Sequence, residues 1–197
     1  MSFINEQQKE INCKVVYFGP ALGGKTTTLR AVYRNVHSGK GADPIAIGND
    51  DDRTLFFDFV PLHLGKIKDY TIRLHLYTIP GQAAYDAQRK LIAKGTDGVV
   101  FVADSQIQRM EANLASLHEL QKILAVDGIA LEEFPMIIQY NKRDLPQAAP
   151  LAELREVLNP SKVPDFETVA TKHEGILDAL KAITARVLHD LKTHRAD

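Results

Sequence analysis

Gly19-Pro20-Ala21-Leu22-Gly23-Gly24-Lys25-Thr26 is the stretch from which the rest of the chain is read. It follows an apolar run, Val15-Val16-Tyr17-Phe18, and precedes a helix-compatible segment, Thr27-Thr28-Leu29-Arg30-Ala31-Val32-Tyr33. The stretch fits G-x-x-x-x-G-K-[ST] in its required setting, strand before and helix after. Each part has a task toward phosphate. Glycines let backbone N–H groups approach oxygens closely, and the following helix adds the positive end of its dipole. Lys25 is placed to reach the β- and γ-phosphates, and the Thr26 hydroxyl to ligate Mg²⁺. The complete pattern in its context outweighs the alternative, an ordinary glycine-rich turn. Gly19, Ala21, Leu22, Gly23, Gly24, Lys25, Thr26 and Thr27 are therefore candidate nucleotide-binding residues.

Outward from this stretch, short apolar runs alternate with helical ones, the signature of a mostly parallel α/β sheet. Strands are predicted near 12–19, 54–60, 70–78, 98–104, 136–141 and 166–170. Val99-Val100-Phe101-Val102 and Met136-Ile137-Ile138 are continuous apolar runs, as central strands covered on both faces require. In 70–78, Ile72, Leu74 and Leu76 alternate with Arg73, His75 and Tyr77, which predicts a wetter face and a place toward an edge. The segment 61–69, with Gly65, is long enough for a hairpin and would make the pair around it antiparallel. Helices are predicted after the phosphate loop and near 84–92, 107–125, 151–158 and 176–191. The expected fold is an α/β P-loop NTPase G domain, a six-stranded mostly parallel sheet with one antiparallel edge pair and helices on both faces. It would fill residues 1–197 as a single domain.

Composition narrows the function classes. At 197 residues the chain suits one sizeable core. A formal net charge of −1 gives no basic excess, which argues against nucleic acid as a partner. One cysteine, Cys13, cannot make an internal disulfide and suits a reducing compartment, where it reads as a small core filler. No signal peptide, membrane span or lipidation motif is visible. The expectation is a cytoplasmic protein with no direct membrane anchor. The seven histidines are scattered and form no metal-binding pair at helical spacing.

A second motif decides the base. Asn141-Lys142-Arg143-Asp144 follows the strand predicted at 136–141, and the C-terminal ends of strands are where open α/β sheets bind ligands. A carboxylate at Asp144 accepts from both N1–H and the 2-amino group of guanine; adenine offers it a lone pair instead. Sites built to pair polar groups reject such a mismatch by ~10⁴–10⁵ in favourable cases. Asn141 would hydrogen-bond the base and tie this loop to the phosphate loop, with the Lys142 stem stacked beneath the ring. Between the two motifs, Thr54 would complete the Mg²⁺ shell and touch the γ-phosphate. Gly81 would meet the γ-phosphate through its N–H, and Gln82 would orient an attacking water. Arg53 is either a contributor to this site or a solvated loop arginine.

Together these residues resemble the Ras-like small GTPases, and within them the bacterial polarity and gliding-motility GTPases of the MglA family. The resemblance runs over nearly the whole chain. It rests on 12–17 (Asn-Cys-Lys-Val-Val-Tyr), 52–59 (Asp-Arg-Thr-Leu-Phe-Phe-Asp-Phe), 75–78 with 80–82, 97–105 and 140–146. It implies a GTP/GDP switch for front–rear polarity and surface motility that binds Mg²⁺ through Thr26 and Thr54. The GTP form would be recruited by polarity and motility effectors, at times to a cell pole. Regulators would be a roadblock-domain GTPase activator of the MglB type and an exchange factor of the RomR/RomX type. The family's arginine finger acts in cis and maps onto Arg53, its fifth guanine-site element onto Val169-Ala170-Thr171, and its strand at 54–60 slides in register between nucleotide states. Two positions depart from the Ras pattern. Thr78 stands where Ras has aspartate, so Asp58 or Asp52 would support the metal. Ala21 stands where glycine is usual, beside the space in which Gln82 and an arginine finger must meet.

Two functions follow: an enzyme that hydrolyses GTP slowly to change partners, or a mostly GTP-bound module read by effectors without useful turnover. A P-loop kinase would leave the guanine reader and Gln82 unexplained. The guanine assignment is tested at Asp144. Asp144→Asn replaces an acceptor-only carboxylate by an amide that suits xanthine, so competition between GTP and XTP should shift toward XTP. If GTP keeps its wild-type margin, Asp144 is not the reader.

Overall fold

The computed structural model describes residues 3–36, 59–67, 69–79 and 95–194. In chain order its elements are β1 (Phe3–Asn5), β2 (Glu10–Phe18), α1 (Lys25–Val36), β3 (Phe59–Ile67), β4 (Tyr70–Thr78) and β5 (Gly98–Asp104). There follow a 3₁₀ turn (Ile107–Arg109), α2 (Met110–Val126), β6 (Met136–Asn141), α3 (Leu151–Leu158), β7 (Asp165–Glu167), a second 3₁₀ turn (Ala170–Lys172) and α4 (Ile176–His194). The strands form one sheet in the order β3-β4-β2-β5-β6-β7, with β1 added along β2. β2 is parallel to β4 and β5, and β5–β6 and β6–β7 are parallel. β3–β4 is the antiparallel edge pair.

The apolar runs occupy the middle of this order because they can be covered twice. Every residue of β5 and β6 is buried. Along β2 and β5, Val15, Tyr17, Val100 and Val102 enter one core with Leu29 and Val32 of α1 and Ile176, Ile183 and Val187 of α4. Val16, Phe18, Val99, Phe101 and Ala103 enter the other, with Leu117, Leu120 and Leu124 of α2 and Leu154 and Leu158 of α3. The period-2 pleat thus feeds two cores from single continuous runs. β4 keeps the predicted alternation: Ile72, Leu74 and Leu76 are buried while Arg73, His75 and Tyr77 are half-buried. Cys13 is fully buried, as a core filler should be.

Four boundaries differ from the sequence expectation. The sheet has a seventh strand among the described residues: β1 pairs antiparallel with Glu10–Asn12, and three residues are too few to show a period. The strand expected at 54–60 is β3 from Phe59 to Ile67; residues 54–58 lie outside the described residues. Pro61 and Gly65 read as a loop, yet an edge strand tolerates proline. The register shift between His63 and Lys66 is the bulge that a strand glycine marks. The last strand ends at Glu167 rather than Ala170, because the Asn141 side chain takes the Ala170 N–H at 3.0 Å and turns the chain into 3₁₀. The helix expected from Ile107 begins as a 3₁₀ turn and becomes α-helical at Met110. The helix expected at 84–92 lies outside the described residues. Among the described residues no helix is long and apolar enough to cross a membrane.

Gly98 opens β5 under α4. A Cβ there would lie 2.5 Å from Val187 Cγ2 and 3.2 Å from Ile183 Cδ1. Gly98→Ala should therefore destabilise the protein by ~1–3 kcal/mol through overpacking. Adding Val187→Ala should recover part of that loss as a non-additive pair in thermal denaturation. Wild-type melting of Gly98→Ala would show that this contact yields easily.

Candidate guanine-nucleotide site

The phosphate loop leaves the buried end of β2 and is bent by backbone that only certain residues accept. Gly19, Leu22 and Gly24 have φ of 138, 62 and 97°. A Cβ on Gly19 would sit 2.3 Å from the Val102 carbonyl oxygen, so the loop can pass this close to β5 only with glycine there. Leu22 holds the left-handed conformation with a full side chain, at a cost of roughly 1–2 kcal/mol. The Gly23 N–H donates to the Pro20 carbonyl at 3.2 Å, and the Thr28 N–H to the Gly24 carbonyl at 2.8 Å, which starts α1. Lys25 is buried, and its Nζ donates to the carbonyls of Gly19 at 2.9 Å and Pro20 at 2.7 Å, spanning the loop. Thr26 is half-buried and Thr27 exposed on the first turn of α1.

The second motif meets the first through one side chain. Asn141, last residue of β6, donates from Nδ2 to the Gly23 carbonyl at 2.9 Å. Its Oδ1 accepts from the Ala170 N–H at 3.0 Å and from Thr168 Oγ1 at 3.3 Å. A Cβ on Gly24 would stand 2.2 Å from Asn141 Nδ2, so glycine is required where the two loops touch. Three segments distant in sequence are thus pinned around one amide. Beside it opens a pocket of about 170 Å³ lined by Gly24, Asn141, Lys142, Asp144, Ala170 and Thr171.

Lys142 adopts a left-handed backbone, and its Nζ donates to Asp104 Oδ2 at 2.8 Å. Asp104, at the end of β5, is buried; its backbone N–H and C=O are both taken by Asn113 of α2. Asp144 is partly exposed toward the pocket, with Lys172 Nζ 3.3 Å from its Oδ2. Arg143 points elsewhere, to the Ala149 carbonyl and Glu167. Beneath the site, burial pushes the Tyr17 phenol upward, so it stays neutral as a core residue.

The residues predicted from the two motifs, Gly19 to Thr27, Asn141, Lys142 and Asp144, therefore come together, and Ala170, which the family resemblance implied, joins them. Arg53, Thr54, Gly81, Gln82, Asp52 and Asp58 lie outside the described residues. Sequence reasoning missed Asp104, Arg109, Thr168 and Lys172. The first had a readable signal, an acid at the end of a wholly apolar strand; the others look like ordinary surface or turn residues.

The ADP-ribosylation factor family model matches residues 57–187. The chain belongs to this family of small GTPases. It is 53% identical over 192 residues to the mutual gliding-motility protein MglA of Myxococcus xanthus, covering 98% of each chain. It is also similar to human ADP-ribosylation factor-like protein 4A, 32% identical over 145 residues, 73% of this chain and 64% of that one.

In this GTPase the Asn141 amide carries the junction between base and phosphate loops. Asn141→Ala would leave the buried Gly23 carbonyl and Ala170 N–H without it, and unsatisfied buried groups cost ~1–3 kcal/mol each. Thermal denaturation should fall by roughly 5–10 °C. Asn141→Asp keeps the acceptor but faces the Gly23 carbonyl with a carboxylate, so it should melt below wild type as well.

Proposed function

We propose that this chain is a guanine-nucleotide switch whose GTP-bound form recruits partners for cell polarity and gliding motility. The observation that carries the reading is the single amide joining a phosphate loop to a pocket lined by Asp144. The Asp144 carboxylate would accept from guanine N1–H and the 2-amino group, Ala170 would line the base pocket, and the Lys142 stem would lie along the ring. Backbone N–H groups of the phosphate loop and the Lys25 ammonium would hold the phosphates. The 53% identity to MglA over nearly the full length of both chains supports the motility assignment. By the same likeness, a roadblock-type activator, a RomR/RomX-type exchange factor and motility effectors are the proposed partners.

Mg²⁺ fits this donor set. Among the described residues no three His, Cys, Asp or Glu side chains gather as a metal cage. A hard cation that takes most of its oxygens from phosphates and water needs only a hydroxyl such as that of Thr26, with Thr54 as the second. Such a cation, held by Thr26 and Thr54, would supply positive charge against the phosphates. Gln82 would align the water and Arg53 would offset charge developing on the γ-phosphate.

A second reading, a mostly GTP-loaded module, is favoured by Ala21 and by the Gly48-Asn49-Asp50-Asp51 variation ahead of Asp52. The Ala21 methyl would have no part in holding the β-phosphate and would narrow the space that a water-orienting glutamine and an arginine finger need. Identifying the nucleotide that copurifies tests the function: a guanine nucleotide supports it, and ATP would overturn it. Ala21→Gly should speed single-turnover GTP hydrolysis with affinity nearly unchanged, and Gln82→Leu should abolish that gain. Hydrolysis no faster in Ala21→Gly, with or without a roadblock-type activator, removes the steric account.

A further inference from the structure

One cation at the rim of the site reaches the phosphate loop from outside either motif. Arg109 closes the 3₁₀ turn Ile107–Arg109, and its Nη2 donates to the Ala21 carbonyl at 2.7 Å. Its Nε lies 3.7 Å from Asp104 Oδ2, the same oxygen that accepts from Lys142 at 2.8 Å. The turn is itself held in place. The Ile107 N–H donates to the Gln147 carbonyl at 3.0 Å, the Ser105 N–H to the Asn141 carbonyl at 3.0 Å, and the Arg109 N–H to the Gln106 carbonyl at 2.9 Å. The guanidinium is thus fixed at its root by the segment that carries the base motif and at its tip by the phosphate loop. It has two-thirds of its side chain covered.

What Arg109 does to the loop follows from peptide planarity. Ala21 C=O and Leu22 N–H belong to one trans peptide and point in opposite directions. Fixing the carbonyl on Arg109 therefore fixes the Leu22 N–H on the other side of the loop. This is the peptide that leads into the left-handed Leu22, where a side-chain-bearing residue has no conformational preference for staying. A hydrogen bond from a charged donor is the kind strong enough to hold it.

We propose that Arg109 is a positioning residue that sets the Ala21–Leu22 peptide so that the Leu22 N–H faces the nucleotide's phosphates, with Asp104 aligning Arg109 and Lys142 together. This rests on the nucleotide-switch reading above. Arg109 touches no phosphate; it acts through the peptide. Because Asp104 binds both cations through one oxygen, base loop and phosphate loop share a single buried anchor.

The test uses the full chain loaded with a fluorescent GDP in Mg²⁺ buffer, with nucleotide release followed after adding excess GDP. Arg109→Ala should release GDP about 5–20-fold faster than wild type. Arg109→Lys, which keeps a charged donor, should come within about threefold of wild type. Arg109→Gln, with one amide donor and no charge, should fall between them, and it serves if the alanine variant does not fold. Thermal midpoints of the loaded proteins are measured alongside. A residue that only supports the fold would lower the midpoint and leave release at well-folded temperatures unchanged, which overturns the proposal. Arg109→Lys releasing as fast as Arg109→Ala overturns it too, since the donor would not matter. A wild-type chain that binds no guanine nucleotide sinks the nucleotide reading itself, whereas wild-type binding with unaltered release in the Arg109 variants sinks the positioning role alone.

Discussion

A loop that offers backbone N–H groups to a ligand has few of them left to hold its own shape. That constraint governs the residues around Gly19 to Gly24. The loop is made of strained or bare backbone, so its geometry has to be imposed from neighbours. β5 presses on Gly19 through the Val102 carbonyl, Asn141 grips the Gly23 carbonyl, and Lys25 bridges the first two carbonyls from within. Each contact engages a carbonyl or a missing Cβ and leaves N–H groups facing elsewhere. Oriented dipoles of this kind act strongly because they need no reorganisation when charge arrives.

The sheet makes such neighbours available. Parallel strands β2, β5 and β6 end on the same side, so Phe18, Asp104 and Asn141 finish close together although separated widely in sequence. The register pairs Asp104 with Asn141 directly. Burial on both faces holds those strand ends still, and a side chain at the last position inherits that rigidity. The site's precision therefore derives from cores built almost wholly of apolar side chains.

Much of this is legible in the amino-acid sequence, and the reasons differ from element to element. Val99 to Val102 announced a central strand because no polar residue interrupts it; Asn141 announced its role because its motif sits where a strand must end. The β3 boundary was misread because Pro61 and Gly65 carry loop signals that an edge strand with a bulge also satisfies. β1 was invisible since a three-residue strand is defined by its partner, not by its own pattern. Arg109 was illegible for another reason: its partner is a backbone carbonyl, and a carbonyl has no letter in the sequence.

β1 has a consequence for handling the molecule. β2 is longer than β5 on their shared side: β5 pairs with Val15 to Phe18, and Phe3 to Asn5 take up the backbone of Glu10 to Asn12 nearer the start of the strand. Without that short cover, a row of amide and carbonyl groups would stand open to any extended chain, and open strand edges invite self-association. β1 also lies at the opposite end of β2 from the phosphate loop. Fusions appended ahead of Phe3 would therefore sit far from the nucleotide, while deletions that reach Asn5 would trade a quiet flank for an adhesive one.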